Sequence, residues 1–544
     1  ATPDIVAPGS MVLQPSEERR RSGSHYTPRS LTQPIVCTTL RPILERLKGP
    51  KGEPPRPEQI LDLKVCDPAM GSGAFLVETC RRLADALIES WEFHDAKPQV
   101  PSDEDEVVFA RRMVAQRCLY GVDRNPVAVD LAKMSLWLAT LAREHPLTFV
   151  DHALKHGDSL VGLTVEQIEG FHWDVEKLRK RRAFVSLKVS EHNARARELR
   201  DRVRNAADDV PESELNDLLR EADGELDRVK LAGDLVVAAF FSGAKPKERE
   251  TQRAAFEGAF ERGEADAYRS WLEELRHAER PLVPFHWQLE FPETFDRANP
   301  GFDAMVGNPP FQGGRNLTAS QGEAYSKWLL SLNEGSSGGA DLVAHFFRRA
   351  HTLVRQDGTF GLIATNTIAQ GDTRASGLAW ICTHGGEIYA ARRRVKWPGE
   401  AAVVVSVVHV MKGAYKGPRL LDDREVETIS AFLFHRGGHT DPVRLAANAG
   451  KSFVGSCILG MGFTFDDTDG KGVATPIAEM DRLIRENPAN AEVIFPYIGG
   501  EEVNTSPTHA HHRYVINFGE RSEEECWRRW PELMAIVDEK VRPE

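Results

Sequence analysis

The stretch GNPPF, Gly307 to Phe311, brings together an amide, two imino acids and a ring. Asn308 offers an amide oxygen as acceptor, Pro309 and Pro310 have no N–H to donate and hold the backbone extended, and Phe311 adds a flat apolar face. Such a set suits a planar amine that has to be stacked and held by two hydrogen bonds. The same residues also make an ordinary Pro-Pro loop with a capping Asn. A second stretch, VCDPAMGSGAFLVE from Val65 to Glu78, ends an apolar lead-in on Asp67 and follows it with Gly71 and Gly73. Gly-rich turns between a strand and a helix can cradle phosphate. Here the Gly-Lys-Ser/Thr close of a phosphate loop is missing, and Leu76 stands where a dinucleotide fingerprint has its third glycine. An acid at the strand end suits a cationic ligand instead. S-adenosylmethionine carries an ammonium and a sulfonium and no phosphate; a purely structural strand-to-helix turn is the other reading.

Both stretches need elements to carry them. ILDLKVCD reads as a strand ending in Asp67, with a helix beginning near Ala74. RCLYGVD is a second strand that again ends in an acid, Asp123, and NPVAVDLAKMSLWLATLA follows as a helix with Pro126 in its first turn. LKHGDSLVG, with Asp158, closes a third strand unit. Strand, turn, helix, strand, acid is the opening of a parallel α/β sheet. Upstream, YTPRSLTQPIVCTTLRPILERL predicts a helix with Thr27 as N-cap and Pro28 at its first position. From about Glu166 to Arg280 the sequence turns charged and helix-favouring, as an inserted helical segment would. The α/β pattern resumes at GFDAMVGNPPF and continues through the helix ADLVAHFFRRAHTLVRQDG and the strands FGLIATN and AAVVVSVVHVM. Beyond about Asp422 the periodicity weakens into short strands and loops.

At 544 residues the chain is too long for one ordinary core, and two or three domains are expected. Without a membrane-length apolar run or a signal-peptide core, it reads as soluble and cytoplasmic. The seven cysteines are scattered, with no Cys-x-x-Cys pair and no recognisable metal-ligand set, which fits a reducing compartment. A net charge of -12 speaks against indiscriminate coating of nucleic acid but leaves room for a local basic surface. ARRRVKW, Ala391 to Trp397, is such a candidate, with an ordinary solvated face as the alternative. HAHH, His509 to His512, has metal-like density but no acid or cysteine in a metal spacing, so no metal is expected. The first residue is Ala1, the first methionine is Met11 and the chain stops at DEKVRPE; a fragment of something longer is expected.

YTP, DPAMGSGAF, GVDRNP, GDSL and NPPF, in that order, resemble the successive motifs of the adenine-specific (N6) DNA methyltransferases of restriction–modification and phage-defence systems, and the long insertion before NPPF is similar to the type IIG-like branch. The resemblance covers Tyr26 to about Met411. It implies a Rossmann-like S-adenosylmethionine-dependent methyltransferase sheet with a helical insertion and a C-terminal recognition domain. The divisions expected are a lead with a cofactor-closing helix (1–60), the cofactor-binding half (61–165), the insertion (166–280), the catalytic half (281–421) and the start of a target-recognition domain (422–544). The resemblance further implies that Asp67, Pro68, Ala69, Gly71 and Gly73 cradle the methionine part of the cofactor, that Asp123 accepts both ribose hydroxyls, and that Asp158 accepts from the cofactor's adenine amine. Tyr26, Thr27 and Pro28 would close over the methionine end. Asn308 and the Pro309 carbonyl would accept the two hydrogens of an adenine flipped out of double-stranded DNA, beside Pro310 and with Phe311 replacing the lost stacking. Cytosine C5 chemistry would need a cysteine nucleophile, usually after proline, and none of the seven follows one. Other defence-system subunits are expected as partners, and a membrane is not. The competing readings are an RNA or protein amine methyltransferase, a methyltransferase-like subunit that binds DNA without turnover, and a nicotinamide oxidoreductase.

Overall fold

A computed structural model describes residues 27–542 apart from 101–104, 141–149, 179–187, 207–209, 399–403, 442, 444–445, 447–459 and 471. Among them nine strands form one sheet in the order β3-β2-β1-β4-β5-β7-β6-β8-β9. The strands are β1 Val65–Asp67, β2 Leu119–Asp123, β3 Leu154–His156, β4 Phe302–Gly307, β5 Val354–Thr365, β6 Gly386–Lys396, β7 Val404–Lys412, β8 Arg419–Leu421 and β9 Arg424–Val426. β1 pairs in parallel with β2 and β4, β2 with β3, and β4 with β5, while β7 runs antiparallel between β5 and β6. The chain builds outward from β1 to β3 and returns on the other side at β4. In open α/β sheets, ligands bind at that point of reversal, outside the carboxyl ends of the strands.

Burial on both faces makes the central strands β2, β4 and β7 nearly continuous apolar runs rather than alternating ones. β4 is buried at every position, Val65 faces the core beneath the helices Arg29–Leu47 and Ala74–His94, and its neighbour Cys66 faces an aromatic core with Phe285, Phe291 and Phe302. The helix Arg29–Leu47 runs on through Pro34 and Pro42. Pro42 has no N–H for the carbonyl of Thr38, and the Tyr389 hydroxyl donates to that carbonyl instead at 3.1 Å.

The inserted segment is helical, with Val189–Arg204, Glu212–Ser242, Pro246–Glu261 and Arg269–Arg276 as its main helices. The long helix Glu212–Ser242 is polar at its start and buried from Leu231 to Phe240, where it packs against Trp328 and Leu160 of the sheet-bearing part. Arg200 adds a buried fork to Glu293, at 2.8 Å and 2.9 Å, that holds the Glu293 carboxyl down at about 2 against the upward push of burial.

Two expectations are corrected. Thr27 is not the N-cap: Pro28 holds that position, no side chain caps the helix, and the N–H groups of Leu31 and Thr32 bond to the Pro28 carbonyl. The helix expected over ADLVAHFFRRAHTLVRQDG spans only Leu342–Leu353. From Val354 the backbone is strand, because Val354 pairs with Phe302 and Asp357-Gly358 makes a turn, with Asp357 at φ 61°, before pairing resumes at Thr359.

Contacts divide the chain into two compact units, Ala1–Thr440 and Asp441–Glu544. The second has a three-stranded antiparallel sheet, Thr464–Phe465, Arg513–Ile516 and Ile494–Tyr497, over a core of Phe465, Trp530 and Leu533. No described helix is long and apolar enough to cross a membrane.

Candidate active site at the carboxyl ends of β1 to β4

Asp67 ends β1 with its side chain almost fully buried, and its Oδ1 accepts from the Ala69 N–H at 3.0 Å. Burial pushes its carboxyl up to about 8 against that hydrogen bond. The turn then needs its glycines. Gly71 and Gly73 have φ of 54° and 82°, and a Cβ on Gly73 would sit 3.2 Å from Ala132. Across the sheet, a Cβ on Gly307 would come 2.7 Å from Asp67 Oδ1, so glycine at the end of β4 is what lets the two strand ends lie side by side.

The second and third acids knit the turn together. Asp123 accepts from the Gly71 N–H at 2.9 Å through Oδ2 and from the Asn125 N–H at 2.8 Å through Oδ1. Burial raises its pKa against those two donors. Asp158 is buried and accepts from the Leu160 N–H at 3.0 Å and from the Tyr325 hydroxyl at 3.1 Å and 3.3 Å, with the Arg124 guanidinium 3.6 Å away. The Ser159 hydroxyl donates to the Pro68 carbonyl at 2.5 Å, tying the GDSL segment to the turn.

On the other side of Asp67 stands the Asn308 loop. Asn308 Nδ2 donates to Thr27 Oγ1 at 3.2 Å, across 281 residues of sequence, while its Oδ1 is buried and has no partner. Phe311 is half-buried and bridges the cores on the two faces of the sheet. Beyond it, Asp341 takes the loop backbone in a clamp: its Oδ1 accepts from the Gln312 N–H at 3.0 Å, and the Leu342 N–H donates to the Gln312 carbonyl at 2.8 Å. The fold thus brings together Asp67, Pro68, Ala69, Gly71, Gly73, Asp123, Asp158, Asn308, Pro309, Pro310 and Phe311 at one edge, with Thr27 and Pro28 arriving from the N-terminal helix. Tyr26 lies outside the described residues.

Sequence reasoning missed Asp341, Tyr325, Arg124 and Ser159. Asp341 had a readable signal, an acid before the apolar run LVAHFF, and it does cap that helix through the Val343 N–H at 3.1 Å; its hold on Gln312 had none. In ARRRVKW, Arg392 and Arg393 are bound by Asp423 and Asp422 at 2.6 Å each, so two of its charges are already matched within the protein. His512 in HAHH faces Glu502 at 3.4 Å, and no group of three or more metal-ligating side chains occurs among the described residues.

The family model for the N-6 DNA methylases matches residues 12–172, and that for the Eco57I restriction-modification methylases matches residues 117–380; together they span well over half of the chain. The chain carries N6 adenine DNA methylase and Eco57I restriction-modification methylase domains. The chain is 22% identical over 409 residues to RM.MjaORFECS2P of Methanocaldococcus jannaschii, whose name is that of a type II restriction enzyme and methyltransferase, covering 64% of this chain and 32% of that one. It is 27% identical over 165 residues to the type II restriction enzyme and methyltransferase RM.Eco57I of Escherichia coli, covering 28% of this chain and 16% of that one. It spans about a third or less of the length of these curated relatives. The type IIL restriction-modification enzyme MmeI, solved in complex with DNA, aligns with 97% of this chain and 55% of its own at 16% identity and a TM-score of 0.47.

The family matches imply S-adenosylmethionine as the methyl donor, and the residues present fit it. A buried carboxylate at the end of β1, an acid at the end of β2 and a turn with no lysine suit a cationic, phosphate-free ligand.

Proposed function

We propose that this chain transfers a methyl group from S-adenosylmethionine to the exocyclic amine of adenine in double-stranded DNA, with the target base turned out of the helix, as part of a restriction–modification or phage-defence system. The observation that carries the reading is the buried, unpartnered Oδ1 of Asn308 at the end of β4, beside the Asp67 turn. A buried acceptor left unpaired is costly, and holding one in place is understandable where a ligand completes it. An amine is such a ligand.

The adenine amine is a poor nucleophile because its lone pair is delocalised into the ring. Asn308 Oδ1 and the Pro309 carbonyl would accept its two hydrogens and let the nitrogen become pyramidal, so their hydrogen bonds strengthen toward the transition state. The donor, when bound, supplies an electrophilic sulfonium methyl and would leave as the neutral thioether S-adenosylhomocysteine, and the proton shed by the methylated amine would pass to water. Asp67 and the Ala69 to Gly73 turn would hold the donor's methionine end, Asp123 its ribose and Asp158 its adenine amine. Phe311 would give the flipped base a stacking face, and Pro28 would close the cofactor side. No residue forms a covalent bond in this scheme; orientation carries the acceleration. Recognition of a particular DNA sequence is assigned to residues after 421.

Transfer of labelled methyl from S-adenosylmethionine to unmodified DNA, RNA and a protein mixture tests the reading. Label in DNA alone is expected. Label in RNA or protein would replace the substrate, and DNA binding without any transfer would make the chain a binding subunit.

A further inference from the structure

We propose that Thr27 is a positioning residue for methyl transfer, acting through Asn308 rather than on the cofactor: its hydroxyl oxygen accepts from Asn308 Nδ2 and so leaves Oδ1 as the end of that amide presented to the target amine. The inference rests on the adenine-methylation reading and adds a part to it. The two ends of a carboxamide are nearly the same in shape and opposite in hydrogen bonding. A loop asparagine that is to meet an amine must be prevented from offering its own NH₂, since donor would then face donor. Thr27 Oγ1, 3.2 Å from Nδ2, accepts from it and holds the amide with Oδ1 as the end left for a ligand.

Three observations support the assignment. Thr27 is 4% exposed, and its hydroxyl is not taken by the helix behind it, where Pro28 is the N-cap and no side-chain cap exists. Oδ1, the other end of the amide, is buried and unpartnered, as an acceptor kept for a ligand would be. Finally, the helix Arg29–Leu47 that follows Thr27 is pinned along its length to the helix Ala74–His94 and to the sheet. Arg29 pairs with Glu78 at 3.0 Å, Tyr389 donates to the Thr38 carbonyl at 3.1 Å, and Thr359 donates to the Thr39 carbonyl at 2.8 Å. Near its end, Arg46 donates to the Asp357 carbonyl at 2.6 Å. A hydroxyl carried on so fixed a support defines a point in space, which a positioning contact requires.

The test is a double-mutant cycle on the full chain, read by single-turnover methylation of unmodified genomic DNA and by calorimetry with S-adenosylhomocysteine. Thr27→Val keeps the shape and removes the acceptor; it is expected to slow transfer about tenfold, the usual worth of one hydrogen bond, with cofactor affinity unchanged. Thr27→Ser should recover most of the rate. In the Asn308→Ala background, Thr27→Val should cost nothing further. If Thr27→Val transfers at the parent rate, or weakens cofactor binding as much as it slows transfer, or multiplies the Asn308→Ala loss, Thr27 does not act through Asn308 and the inference falls while the methylation reading stands. A parent chain that transfers to no DNA at all overturns both.

Discussion

The turn after β1 and the loop after β4 lie side by side, yet only the loop keeps an unanswered acceptor. Around the turn, the polar groups are answered: Asp123 takes the Gly71 and Asn125 N–H groups, Asp67 takes Ala69, and Ser159 donates to the Pro68 carbonyl. Around the loop, Thr27 holds Asn308 and Asp341 holds Gln312, and the buried Oδ1 of Asn308 is left over. A cradle for a ligand that is bound tightly can be self-satisfied and rigid. A loop that has to stabilise a changing nitrogen is better served by an acceptor fixed from outside and kept free until the substrate arrives.

Substitutions on the two sides should therefore separate binding from turnover. The largest effect is expected at Asn308, where Asn308→Ala should lower single-turnover methylation by on the order of 10² to 10³, as does deletion of one preorganised hydrogen-bonding group elsewhere. Cofactor affinity measured by calorimetry should barely change. Asp123→Ala comes next and should do the reverse, weakening S-adenosylhomocysteine binding by roughly 10- to 100-fold through loss of a charge-assisted contact and of the Gly71 clamp; unchanged affinity would remove Asp123 from the site.

Smaller effects test the physics of each side. A cation beside Asp67 favours its ionised form, and the carboxyl sits at about 8 before the cation arrives. Below that pH a proton must leave as the cofactor binds, so affinity should rise up to about tenfold per pH unit as pH climbs toward 8 and level off above it. Asp67→Asn should flatten the profile, and a parent profile already flat from pH 6 to 9 would show that Asp67 does not face the charge. Smallest is Asp341→Ala. It removes a helix cap and the hold on Gln312, and should cost about 1 kcal/mol of stability by thermal melting and a few-fold in turnover, while cofactor affinity stays level.

The two sides differ in how much of them the sequence shows. The turn is readable because its parts carry their own signals: a strand-end acid, two glycines in a tight turn, and a second strand ending in an acid; the Ser159 hold on Pro68 carried none. The loop's composition was readable too, but not what fixes it. Thr27 was expected to cap its own helix, and nothing within a few residues shows that Pro28 takes the cap and releases the hydroxyl to Asn308. Asp341 was legible as a cap and silent as a clamp. The helix expected to run past Leu353 failed for the same reason, since pairing of Val354 with Phe302 is a tertiary contact that outweighs local helix preference. The insertion was recognisable from its charge and helix propensity, whereas the buried Arg200–Glu293 fork that ties it to the catalytic half joins residues 93 apart.

The central claim is that Asn308 presents its oxygen to the amine of adenine, and the chemical identity of the methylated base tests it most directly. Unmodified DNA treated with the full-length protein and S-adenosylmethionine carrying a deuterated methyl group, then digested to nucleosides and read by mass spectrometry, should contain the label as N6-methyladenine alone, and the Asn308→Ala protein should leave at most about one part in a hundred of it on the same timescale. Label found as N4- or C5-methylcytosine, or N6-methyladenine formed at the parent rate by Asn308→Ala, would contradict the account.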